Sequence, residues 1–70
     1  MKTRIRDMRE DKDLKQADIA AMLQIHQTTY SDYELEKLNV PADVLVKLAR
    51  FYKTSVDYLL LLTDNPEPYK

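Results

Sequence analysis

The sequence contains no glycine and no cysteine. Without cysteine there can be no disulfide and no thiolate metal site, which fits a reducing compartment such as the cytoplasm. Without glycine there is no phosphate-cradling loop, and no residue can take a positive φ free of steric cost. There is one histidine, His26, with no second imidazole or thiol nearby in sequence, so neither a metal nor another cofactor is expected. The longest apolar run, from Tyr58 to Leu62, is far too short to span a membrane. The first residues, MKTRIRDMRED, lack the apolar segment of a signal peptide. No paired acid and base and no activated nucleophile appears, which argues against an enzyme.

Excess charge is missing too: the formal net charge is −1. Residues 1–15 carry six basic and four acidic side chains, and residues 41–70 carry four of each. Between them, residues 16–40 set Lys37 against Asp18, Asp32, Glu34 and Glu36. A polyanion would therefore find no basic stripe in the middle of the chain.

What is present is a helix-forming sequence of seventy residues, enough for one domain. A chain this short buries only about 60% of its unfolded surface. Its stability should be on the order of 5 kcal/mol unless a second copy contributes. No alternating strand pattern occurs, so the fold class is all-α, with five helices. The first helix is predicted over about Thr3 to Lys12, capped by Thr3, with Ile5 and Met8 inward and Arg4, Arg6 and Arg9 solvated. Leu14 then plugs the core. A fourth helix holds Pro41 in its first turn and buries Leu45, Leu48, Ala49 and Tyr52. Ser55 caps a fifth, whose Val56, Leu59 and Leu60 close the core. The segment 65–70, with two prolines, reads as an extended tail.

The organising stretch is Gln16 to Glu34, which reads as two short helices joined by a tight turn. The first covers about Gln16 to Leu23, with Ala17, Ala20 and Leu23 along one stripe and Ile19 beside it. The second covers about Gln27 to Leu35, with room for a further turn before Asn39. Its Tyr30 and Tyr33 are expected inside with hydroxyls reaching solvent, while Gln27, Thr28, Ser31 and Asp32 point elsewhere.

This stretch resembles the helix-turn-helix of the Cro/repressor-type (XRE) DNA-binding family. The residues that carry the likeness are Gln16-Ala17, Ala20, Leu23 and Ile25, then Thr29-Tyr30-Ser31 and Tyr33-Glu34. It continues through Val40-Pro41, Lys47-Leu48-Ala49 and Ser55-Val56-Asp57-Tyr58-Leu59-Leu60, and spans Arg4 to about Asp64. The resemblance implies a compact five-helix bundle of the phage-repressor type over residues 1–64, with the helix-turn-helix at about 16–35. Gln24 stands where most relatives have glycine, so either Gln24 accepts strain or the turn differs from the family's.

The family pattern places Gln27, Thr28, Ser31 and Asp32 against base edges of double-stranded DNA. It assigns phosphate contacts to Gln16, Lys37 and Asn39. Leu61 stands where relatives often have glycine, and the run Leu59 to Leu62 holds more leucine than one helix can hide. A homodimer contact there, and with it a palindromic operator, is the expectation. The implied function is that of a small cytoplasmic repressor or Cro-like regulator, bacterial or phage-encoded. The acidic middle of the chain favours a second reading, a protein-binding adaptor of antitoxin type on the same scaffold with weak DNA affinity.

Overall fold

The computed structural model describes residues 1–68. In chain order the helices are α1 (Ile5–Asp11), α2 (Gln16–Leu23), α3 (Gln27–Glu34), α4 (Ala42–Tyr52) and α5 (Val56–Leu59). No strand occurs among the described residues. One apolar cluster joins all five helices: Ile5 from α1, Ile19, Ala20 and Leu23 from α2, Tyr30 and Tyr33 from α3, Leu45 and Leu48 from α4, and Leu59 from α5. Met8, Leu14, Ile25, Val56 and Leu60 pack against it half-buried, as their spacing predicts.

Several details differ from the sequence reading. Ala17 is exposed, and Ile19 takes the inward place beside Ala20 and Leu23. Two turns of helix carry too narrow a stripe to bury both flanks. The first helix is shorter than predicted, because Arg4 is its N-cap; Thr3 Oγ1 still accepts from the Ile5 N–H at 3.3 Å. Pro41 is the N-cap of α4 rather than part of its first turn, and its carbonyl accepts from the Leu45 N–H. Ser55 caps α5 as expected, with Oγ 3.0 Å from the Tyr58 N–H.

The absence of glycine has a direct structural answer. Each helix is closed by a residue held at positive φ: Asp13, Gln24, Glu36, Lys53 and Leu61, with φ between 56° and 66°. After α2, Gln24 stands at φ 58°, ψ 43°. The Ile25 N–H donates to the Ala20 carbonyl and the Gln24 N–H to the Ala21 carbonyl. These are the two bonds of the Schellman closure, which ordinarily selects glycine. So the family's turn is kept and Gln24 bears the strain. The same closure at Glu36 ends α3 at Glu34, and the predicted further turn of helix does not form.

Segment 65–68 has no regular structure, yet side chains tie the stretch from Thr63 to Pro66 to the rest of the domain. Thr54 Oγ1 donates to the Pro66 carbonyl at 2.7 Å, and Arg4 reaches the Thr63 carbonyl and Asp64. Residues 69 and 70 of the predicted tail lie outside the described residues.

Candidate nucleic-acid interface

The turn at Gln24 and the half-buried Ile25 bring α3 across α2, with Ala20 giving the small contact surface that lets the two approach. His26, extended at φ −67° and ψ 143°, leads into α3 without a side-chain cap. The first backbone N–H groups of α3 are therefore left for an outside acceptor. Gln27 and Thr28 are exposed in that first turn, and Ser31 and Asp32 follow half-buried one turn later. Lys37 and Asn39 are exposed in the segment between α3 and α4. Six of the seven nucleic-acid contacts expected from sequence are thus placed along α3 and the segment after it; the seventh, Gln16, opens α2.

Gln16 is engaged in a way that spacing alone does not reveal. Its Nε2 donates to Glu34 Oε1 at 3.1 Å, tying the start of α2 to the end of α3. Nε2 carries a second N–H, so the brace leaves one donor for a phosphate. Beside it, Asp18 Oδ2 accepts from the Lys15 N–H at 2.9 Å. Lysine has no side-chain acceptor to return that bond, so the cap of α2 is one-sided.

Glu34 is the pivot of the site. Arg9 grips it with two hydrogen bonds, Nε to Oε2 at 2.7 Å and Nη2 to Oε1 at 3.0 Å. A third guanidinium N–H of Arg9 donates to the Leu14 carbonyl at 2.7 Å. The side chains are 14% and 2% exposed, so this pair lies inside the protein. The expectation that Arg9 is solvated is overturned, because a buried carboxylate draws it in. Arg4 also departs from that expectation. It covers the Tyr58 ring at 4.3 Å and donates to the Tyr58 carbonyl, leaving only Arg6 of the three largely exposed.

The ionisation of this cluster follows from its geometry. Burial pushes the Glu34 carboxyl up, but the bonds from Arg9, the nearby Tyr30 hydroxyl and Gln16 together outweigh it and hold the group below the usual carboxylate value. The hydrogen bond to Glu34 outweighs burial at Arg9 as well and raises its pKa. Tyr30 is fully buried, so its hydroxyl does not reach solvent as expected, and burial with the Glu34 charge raises its pKa strongly. Burial likewise pushes Tyr52 up to about 12.

Setting the Arg9–Glu34 pair aside, the surface of residues 16–40 keeps Lys37 against Asp18, Asp32 and Glu36. Exposed Lys15, beside Gln16 at the start of α2, is a cation that sequence reading did not single out; its position next to Gln16 was the available signal. No group of acidic or imidazole side chains that could hold a metal occurs among the described residues. No described helix is long and apolar enough to cross a membrane. An open apolar groove lies between α4, α5 and Pro68, but it shares no residue with α2 or α3.

The comparisons with known proteins agree with this geometry. A family model described as helix-turn-helix matches residues 5–59, from the first residue of α1 to the last of α5. A protein of Bacillus subtilis (strain 168), described as the uncharacterized HTH-type transcriptional regulator YobD, is 43% identical over 65 residues. The match takes in 93% of this chain and 58% of that protein, so the chain spans less than two thirds of the relative's length. A turn closed by Gln24, a second helix braced through Glu34, and a match across all five helices together make this chain a member of the XRE-type helix-turn-helix family, a family of DNA-binding domains rather than enzymes.

Proposed function

We propose that this domain is the DNA-binding part of a transcription regulator, a small repressor or Cro-like protein, and reads the major groove with α3. The observation that carries the reading is the Glu34 brace: α1, α2 and α3 are locked together at one end of α3, while Gln27 and Thr28 stand free at the other. A glutamine amide can pair with adenine N6 and N7, and a threonine methyl can meet that of thymine. Ser31 reaches a base edge one turn further on, with Asp32 beside it facing the backbone, and Gln16, Lys37 and Asn39 take phosphates. The domain acts as a cytoplasmic homodimer on a palindromic operator, each copy presenting one α3.

A second reading rests on charge. The acidic surface of residues 16–40 supplies little of the sequence-independent attraction to phosphate that most DNA-binding domains use. It favours an antitoxin-type adaptor whose partner is a protein. Selection of bound sequences from a random duplex pool separates the two. Enrichment of a two-fold symmetric motif supports the regulator, and Gln27→Ala should then relax the preference at one base pair in each half-site, by about 1–3 kcal/mol. A pool that stays random at physiological salt rejects the DNA reading and leaves the adaptor.

A further inference from the structure

The groove between α4, α5 and Pro68 has a volume of about 680 Å³. Sites for small molecules fall in the range of about 300–1,000 Å³. Along its α4 wall, Val46, Ala49, Arg50 and Lys53 follow at i, i+3, i+4 and i+7, which puts them on one stripe. The stripe is segregated, apolar at its start and cationic at its end. Val56 of α5 and Pro68 complete the apolar lining. The Pro68 wall is held in place: buried Thr54, itself a lining residue, donates to the Pro66 carbonyl at 2.7 Å. Arg50 and Lys53 are exposed, and neither enters an ion pair among the described residues. Set against these two cations is the lining carboxylate Asp57, in the first turn of α5. Cations at the end of α4 also suit the helix dipole, but the dipole gives no reason for the apolar half beside them.

We propose that this groove binds a small amphipathic carboxylate, with its apolar body along Val46, Ala49, Val56 and Pro68 and its carboxylate against Arg50 and Lys53. Charge selects the head group, because guanidinium and ammonium groups both donate charge-assisted hydrogen bonds to a carboxylate. The apolar half selects a hydrocarbon tail, which leaves water on entering it. The short α5 selects size. It is a single turn of four residues, about 6 Å long, too short to flank a docked peptide helix whose diameter alone is about 10 Å. A small molecule needs no such length. The groove shares no residue with α2 or α3, so ligand and DNA can occupy the domain together.

The test is a titration of the full chain with octanoate, hexanoate and octanol, followed by NMR of the backbone amides. Saturable shifts with octanoate should gather over residues 46–57, while the amides of Gln27 and Thr28 stay still. Each added methylene should tighten binding about three- to fourfold, so octanoate should bind about tenfold more tightly than hexanoate. The double substitution Arg50→Gln with Lys53→Gln keeps most of both stems. It should weaken octanoate by about three- to tenfold and leave octanol unchanged. Val46→Glu places a carboxylate on the apolar half and should remove binding of both. No saturable shift, shifts spread evenly over α2 and α3, or hexanoate bound as tightly as octanoate overturns the site. Octanoate bound equally well by the double variant, or octanol weakened as much as octanoate, overturns the carboxylate class. Shifts of the same amides on diluting the unliganded chain would put a second copy in the groove and overturn the proposal too. Should either variant fail to fold, the comparison of octanoate with hexanoate in the parent decides. Every reading is made without DNA, so a chain that binds no duplex leaves all of them standing.

Discussion

At the scale of single residues, the telling feature is that five side chains occupy a conformation that glycine would take at no steric cost. Each L-residue in the left-handed region costs about 1–2 kcal/mol, and glycine's greater unfolded-state freedom returns part of that. Gln24 is exposed and makes no side-chain hydrogen bond among the described residues, so nothing else is lost by replacing it. Gln24→Gly should therefore stabilise the domain by about 0.5–1 kcal/mol in a denaturant melt. A destabilised variant would mean that Gln24 is not left-handed in solution. Asp32 poses a different question. It is half-buried one turn beyond Thr28, and no ion pair or side-chain hydrogen bond to it forms among the described residues. With no base-directed scaffold around it, its carboxylate should act mainly as a repulsion toward phosphate. Asp32→Asn is expected to tighten binding to matched and scrambled duplexes alike, by about three- to tenfold at low salt and less at high salt. Loss of preference at a single base pair would instead assign Asp32 to cytosine.

At the scale of elements, the helices themselves were legible, because five apolar stripes of correct period account for almost the whole core. The caps were legible where a side chain does the capping, as Ser55 does, and the boundary shifted by a residue where backbone geometry decides, as at Arg4 and Pro41. The left-handed closures were half legible: the lack of glycine posed the problem, but only coordinates assign the strain to Gln24 and its four counterparts. The brace around Glu34 was invisible. Arg9 looks like one of three exposed arginines, and its partner lies twenty-five residues away, a separation that no helical periodicity encodes. Breaking a buried pair on one side strands a charge and costs about 3–5 kcal/mol, close to the whole stability of a domain this size. Glu34→Ala should therefore leave the chain largely unfolded by circular dichroism at 37 °C, whereas substitution at exposed Glu36 by alanine should be nearly neutral. The brace also sets the acid response. Because the folded Glu34 pKa is depressed below its ordinary value of 4.5, the carboxylate's contribution is present above that pH. It is lost as pH falls through the lower, folded value. A native domain with no loss of stability below pH 4.5 would contradict the brace.

At the scale of the whole molecule, the start of α1 meets the segment that closes α5, and the apolar surface left over lies beside that junction. The Arg4 N–H donates to the Leu59 carbonyl at 2.8 Å, and its side chain holds the carbonyls of Tyr58 and Thr63. Leu61 and Leu62 project just past this clasp, 40% and 71% exposed. Two solvent-facing leucines after a four-residue helix add nothing to the core of a single copy, which makes them the place to test self-association. Leu61 complicates the test because it is also a left-handed closure, at φ 66°. Any substitution there changes strain as well as surface, and two variants separate the effects. Leu61→Gly removes the strain and the side chain together; Leu61→Lys keeps a Cβ and places a charge on the surface. If Leu61 joins two copies, both variants should sediment closer to monomer, and both should weaken binding to a palindromic duplex whose half-sites lie about 34 Å apart. At concentrations where each chain is monomeric, Leu61→Gly should nevertheless melt later than the parent, by the same 0.5–1 kcal/mol or so expected at Gln24. Leu61→Lys should gain nothing there, since lysine meets the same steric cost at positive φ. A later melt together with undiminished dimer would confine Leu61 to closing α5 and move the interface elsewhere on the surface.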